Sequence, residues 1–189
     1  MDEILQALKK SGRAAFRTRE YAAMLGKEGY ARLALHRLKN QGRITSVKNG
    51  WWAFPDALPE AVACEVSRPA YVSFHSALFL HGMTTQTPAK IQVAVARRTR
   101  TYPVFGLAVK EYKVGKDQFC GFLRKDGLLL ATPEKAVADS LMAPRACPEI
   151  VLQEALEKTD AGKIRGMLAT AAAEKRLTRL MKRVEQERT

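Results

Sequence analysis

Residues 28 to 55 set the tightest limit on what this chain can fold into: a basic amphipathic helix pattern running straight into a hairpin pattern. The hairpin segment reads Arg43-Ile44-Thr45-Ser46-Val47-Lys48-Asn49-Gly50-Trp51-Trp52-Ala53-Phe54-Pro55. Two strand-like runs flank Lys48-Asn49-Gly50, and Asn-Gly is the dipeptide that most readily supplies the positive φ angles of a type I′ turn. In the helical part, a rotation of about 100° per residue gathers Ala31, Ala34, Leu35 and Leu38 on one side. Tyr30, Arg32, Leu33, His36 and Arg37 fall on the other. A helix that leads into such a hairpin builds a winged helix-turn-helix, in which the helix enters a DNA groove and the hairpin touches the backbone.

The residues in front complete that frame. Asp2-Glu3-Ile4-Leu5-Gln6-Ala7-Leu8-Lys9-Lys10 begins with acids and ends with bases, as the helix dipole prefers, and Gly12 stops it. Thr18 reads as the N-cap of a second helix from Arg19 to Leu25, closed by Gly26. The third helix runs from Glu28 to Asn40 and ends at Gly42. Thr18 and Lys27 then open helices, whose free N–H groups suit phosphate. Tyr30, Arg32, Leu33, His36 and Arg37 would meet base edges and phosphates, while Arg43, Lys48 and Asn49 would touch backbone from the wing. Trp52 and Phe54 share a face, and one tryptophan is expected to pack the wing against the first helix.

Charge agrees with a polyanionic partner. The chain of 189 residues carries a net +13, with 11 Lys/Arg against 5 Asp/Glu in residues 1–58 and 21 against 14 in the remainder. A surplus of this kind draws nucleic acid to both parts. With 47% hydrophobic and 27% charged residues the composition is that of a globular protein. No apolar run approaches the length of a membrane span, and no secretory leader pattern follows Met1. Cys64, Cys120 and Cys147 are odd in number and lack CxxC spacing, which fits a reducing cytoplasm and neither a disulfide framework nor a zinc site.

Pro55 and Pro59 bracket a junction, so the spacing places a boundary near residue 58 and divides the chain into 1–58 and 59–189. The second part reads as a connecting helix from Pro59 to Ser67 and a helix between Ser73 and Gly82. Strands are expected at Lys90–Ala96, Tyr102–Phe105, Leu107–Lys113, Phe119–Arg124 and Leu128–Ala131. Thr132-Pro133-Glu134 is a clear helix start, and three further helices are expected at 148–158, 160–172 and 174–187. The fold class is therefore α+β: a winged helix-turn-helix, then a mixed domain with a small sheet and a helical C-terminal end. Arg97, Arg98 and Arg100 form a basic loop, and Arg176, Arg179, Lys182 and Arg183 line the last helix. These seven make a candidate secondary basic surface.

The run "YVSFHSALFLHGM", the basic "RRTRTYPVFG" turn and "DGLLLATPEKAVADSLM", placed behind a short winged helix, resemble the AbiEi family of antitoxins and transcriptional regulators. The resemblance covers nearly the whole chain and is strongest at Tyr71–Gly82 and Gly127–Leu141. It implies a cytoplasmic, non-enzymatic DNA-binding protein. Such a protein represses its own operon and opposes a nucleotidyltransferase-like toxin without necessarily forming a stable complex with it. The recurrent residues correspond to Ser73, Ala77, Leu78, His81 and Gly82, and to Thr132, Pro133, Glu134, Lys135, Ala136 and Asp139. Most of these read as caps and core contacts. A solitary regulator without a toxin is also compatible with the resemblance.

An enzymatic function has no positive support in the residues. Glu111-Tyr112-Lys113 supplies the acid-x-Lys of a metal-dependent nuclease, yet no Asp or Glu lies between Val66 and Lys110 to complete it. His36, His75 and His81 have no metal-ligand spacing, and no phosphate-cradling glycine loop or nucleophile elbow occurs. No cofactor or metal is expected. An adaptor gripping an acidic protein partner remains the rival class. Operators for such regulators are inverted repeats requiring two reading heads, supplied by a weak dimer or by monomers binding together.

Overall fold

The computed structural model describes residues 2–125 and 127–187; Asp126, which opens the second resembling run, lies outside them. The chain starts with α1 (Asp2–Lys10), β1 (Ala15–Arg17), α2 (Thr18–Leu25), α3 (Glu28–Asn40), β2 (Thr45–Lys48) and β3 (Trp51–Ala53). The three strands form an antiparallel sheet in the order β1-β3-β2. Three helices wrap one face of it because each carries an apolar stripe. Leu5 and Leu8 of α1, Tyr21 and Ala22 of α2, and Ala31, Ala34, Leu35 and Leu38 of α3 share a cluster with Phe16, Ile44, Trp52 and Phe54. The buried face of α3 is the one that helical periodicity selects.

Two local expectations are corrected here. Helix α2 begins at Thr18, so the cap position falls on Arg17, whose backbone N–H donates to the Glu20 carboxylate at 2.6 Å. Thr18 is recruited elsewhere: its hydroxyl accepts from the Trp52 indole N–H at 2.9 Å, and its backbone N–H donates to the Gly50 carbonyl at 2.9 Å. The Asn49-Gly50 turn is also not the mirror-image type. Only Gly50 is left-handed, with φ 73°, and pairing of Ser46 with Trp52 and Lys48 with Trp51 leaves Val47 as a bulge. A type I′ turn needs both central residues left-handed; here the bulge supplies the twist instead.

The remainder folds as α4 (Pro59–Ser67), β4 (Ala70–Val72), α5 (Phe74–Leu80), β5 (Ile91–Val95), β6 (Thr101–Val104), β7 (Leu107–Lys113), a 3-10 turn (Lys116–Gln118), β8 (Phe122–Lys125) and β9 (Leu128–Ala131). Helices α6 (Pro133–Met142), α7 (Glu149–Leu156), α8 (Ala161–Gly166) and α9 (Ala171–Glu187) complete it. The strands form one mixed sheet, β6-β7-β5-β4-β9-β8, with parallel pairs β5/β7 and β4/β9. The chain is thus α+β, with helices and two separate sheets. Strands β1 and β4 had no counterpart in the sequence reading, and α8 stops at Gly166, short of the expected 172.

The larger core gathers both sides of the mixed sheet and also takes Ala15, Trp51 and Ala53 from the first sheet. At its centre lies an ion pair, Lys135 Nζ to Asp139 Oδ1 at 2.7 Å, with both side chains fully buried. The other Asp139 oxygen accepts from Ser73 Oγ at 2.7 Å and Tyr71 OH at 2.9 Å. Ser73 precedes α5 but makes no side-chain cap bond; Thr132 does cap α6, accepting from the Lys135 N–H. The two runs that carry the family resemblance therefore meet: β4 pairs with β9, and His81 Nε2 lies 2.8 Å from the Ala131 carbonyl oxygen.

Candidate nucleic-acid interface

Burial of Ala31, Ala34, Leu35 and Leu38 turns the opposite face of α3 outward. Tyr30 and Leu33 are exposed there at 37% and 50%, and Arg32, His36 and Arg37 are exposed beside them. The face has internal order. Arg37 Nη1 donates to the Tyr30 hydroxyl at 2.9 Å, which holds the guanidinium at a fixed place on the helix surface. His36 stands edge-on to the Trp52 ring at 5.8 Å, so the second tryptophan of β3 packs against α3. The tryptophan expected between the hairpin and the first helix thus meets α3 and Thr18 instead, and the aromatic beneath Lys9 of α1 is Phe54, 5.8 Å from ring centre to ammonium.

Helix α3 opens at Glu28 after Lys27, which provides no side-chain cap. A cleft of about 410 Å³ lies between Thr18, Arg19 and Ala22 of α2 and Glu28, Gly29 and Arg32 of α3. Glu28 places a carboxylate at this helix start, which opposes phosphate there. Arg19 and Arg32 are the cations at its mouth. Of the residues on or beside the β2–β3 hairpin, Asn49 is exposed at the tip and Arg43 is half-buried at the base. Lys48 is turned toward the second sheet, its ammonium 4.3 Å from the centre of the Tyr102 ring on β6. Burial there lowers the Lys48 pKa, against the raising effect of Glu111.

That contact brings the β2–β3 hairpin beside the basic loop. Arg97, Arg98 and Arg100 line a cavity of about 70 Å³ together with Arg17 of β1 and Arg68 after α4. Glu111 sits at its base, 4% exposed, where the Ser67 hydroxyl donates to it at 2.7 Å. Among the described residues, no carboxylate forms an ion pair with Arg17, Arg97, Arg98 or Arg100. Arg17 also lies over the Trp51 ring at 4.7 Å. Five guanidinium groups, one of them (Arg68) also paired with Glu65, surround one buried carboxylate and make this a strongly basic concavity. Arg17 and Arg68 were not among the expected residues. They reach the cavity from β1 and from the end of α4, and no local pattern in the sequence ties them to residues 97–100.

Three of the four basic residues expected on α9 are tied to the rest of the fold. Arg176 donates to the carbonyls of Leu141 at 2.6 Å and Ser140 at 3.5 Å, capping the end of α6. Arg179 and Arg183 both reach Glu149 at the start of α7, the second at 2.9 Å. Lys182 is exposed. Glu111 of the acid-x-Lys triplet is held by Ser67 beneath the arginine cluster. Among the described residues no three His, Cys, Asp or Glu side chains converge as a metal ion requires, and no helix is long and apolar enough to cross a membrane.

No family model matches the chain, and no curated protein matches it either. Among solved structures, the crystal structure of the RV2827C protein from Mycobacterium tuberculosis is similar to it, with a TM-score of 0.65. The match covers 96% of this chain and 75% of that one at 16% identity, a likeness of fold.

Proposed function

We propose that the chain is a sequence-specific DNA-binding regulator whose first 58 residues form a winged helix-turn-helix. The observation that carries the proposal is the outward face of α3, with Tyr30, Arg32, Leu33, His36 and Arg37 presented by a helix whose other side is fully buried. Helix α3 leads into the β2–β3 hairpin, and the order helix, strand, helix, helix, hairpin supports reading the hairpin as the wing of a DNA-reading head. In this reading Arg32 and Arg37 meet base edges. Asn49 and the arginine cluster at Arg17, Arg97, Arg98 and Arg100 follow the phosphate backbone. Lys48 serves chiefly to dock the wing. The likeness of Tyr71–Gly82 and Gly127–Leu141 to the AbiEi family supports autorepression in an operon with a nucleotidyltransferase-like toxin. A cytoplasmic site of action and no catalytic chemistry belong to the same reading.

A gel-shift titration against the DNA upstream of the gene tests it. Tight, salt-sensitive binding to that DNA and weak binding to a scrambled duplex is the expected result. Arg32→Ala or Arg37→Ala should cost about 1–3 kcal/mol on the cognate DNA and less on the scrambled duplex. Arg98→Ala should weaken both alike and reduce the salt dependence. Equal affinity of the unaltered protein for both duplexes rules out a specific repressor.

A further inference from the structure

A second cavity, of about 590 Å³, opens where α4, the β8–β9 strands and the Gly12–Ala14 stretch meet. Its volume falls in the range of small-molecule sites, roughly 300–1,000 Å³. The apolar lining comes from Phe119, Phe122, Ala61 and Leu129. The two phenylalanine rings are held in place from behind by Tyr71, at 5.1 and 4.6 Å between centroids. Tyr71 is in turn anchored through its hydroxyl to Asp139, so this wall is rigid down to the buried ion pair.

The charged groups at the mouth are unbalanced. Glu65 is 9% exposed at its side chain and already serves two cations, Arg13 at 3.1 Å and Arg68. Arg124 is exposed and donates to the Gly127 carbonyl at 3.4 Å, with no carboxylate in an ion pair with it among the described residues. Among the described residues that line the cavity, the field is therefore cationic beside flat aromatic surface. We propose that this cavity binds small organic anions with a flat aromatic body and one carboxylate, the ring lying in the corner that Phe119 and Phe122 make at 70° to each other, stacked on one and edge-on to the other, and the carboxylate meeting Arg124 and Arg68. Arg68 also lines the arginine cluster beside the wing, and Glu65 connects through Arg13 to Glu20 of α2. An occupant that draws Arg68 away from Glu65 thus acts on the joint between the two sheets. Binding at this cavity stands independently of the DNA reading.

Calorimetric titration of the full chain with 1-naphthoate tests the proposal, with 1-naphthylmethanol as the uncharged counterpart. The carboxylate should bind, the alcohol about tenfold more weakly, and Arg124→Gln should weaken naphthoate by a similar factor. Ala61→Phe, which fills the apolar half, should abolish binding of both. Since Arg124 is exposed, its substitution leaves a folded protein even where the Ala61 variant does not fold. Absence of naphthoate binding at millimolar probe, equal binding of acid and alcohol, or indifference to Arg124→Gln would each overturn the assignment.

Discussion

Asp139→Asn is the perturbation whose cost follows most directly from the structure. The substitution keeps shape and leaves an oxygen for the Ser73 and Tyr71 hydroxyls, but it removes the only counter-charge of Lys135 among the described residues. The ammonium is fully buried, so no water can replace the carboxylate without opening the core. Breaking one half of a buried pair costs about 3–5 kcal/mol, a large part of the roughly 5–15 kcal/mol that holds a domain together. At a urea slope of about 2 kcal/mol per M, a loss of about 4 kcal/mol moves the midpoint down by about 2 M. Removing both charges with Lys135→Met and Asp139→Asn together should restore at least half of that loss, because the stranded charge is gone. Urea unfolding followed by far-ultraviolet circular dichroism measures both variants, and the emission of Trp51 and Trp52 reports the first sheet alongside. A single-variant loss below about 1 kcal/mol, the scale of an ordinary hydrogen bond, would refute the reasoning. So would a double variant as unstable as the sum of the two single ones.

Two further outcomes follow from side-chain environments. Burial pushes the Cys64 and Cys147 thiols up to about 12, whereas Cys120 is exposed. Iodoacetamide at about pH 8 should therefore add one label to the native protein, at Cys120, and three after unfolding, as read by mass spectrometry. Comparable native labelling at Cys64 or Cys147 contradicts the packing around them. Burial alone would raise the Glu20 carboxyl, but the Arg17 N–H and the Arg13 guanidinium together hold it below its ordinary value of 4.5. A depressed folded pKa stabilises the fold above the ordinary value and loses that contribution as pH falls through the folded one. Glu20→Gln should thus be less stable than the unaltered protein at neutral pH and converge with it in acid; a constant gap across pH refutes the linkage.

What was readable beforehand depended on how local its cause was. The two faces of α3 followed from helical periodicity because every residue that defines them lies within thirteen positions. Strand β5 was read from alternation, although both of its faces are buried, and β7 and β9 from strand-like runs. Strands β1 and β4 are three residues long, too short to show alternation, and exist because neighbouring strands supply their hydrogen bonds. Thr18 has the composition of a cap, but a tryptophan 34 residues away claims its hydroxyl. Ser73 likewise gives up capping α5 for a carboxylate 66 residues further on. The arginine cluster was half legible: residues 97, 98 and 100 are adjacent in the chain, whereas Arg17 and Arg68 join only through the docking of β1 and α4.

Strand β3 has a further consequence. Its neighbours Trp51 and Trp52 point to opposite faces, one entering the larger core and the other the smaller. Alternation along a strand has period two, so a single inserted or deleted residue would exchange the pair between the cores. Each tryptophan would then meet a space shaped for the other's surroundings. Substitutions around this strand can be absorbed one at a time, but changes of length cannot. In descent, the hairpin and the sheet behind it must keep a common count, which makes the spacing from Gly50 to Phe54 a more durable signature of this architecture than the side chains on either face.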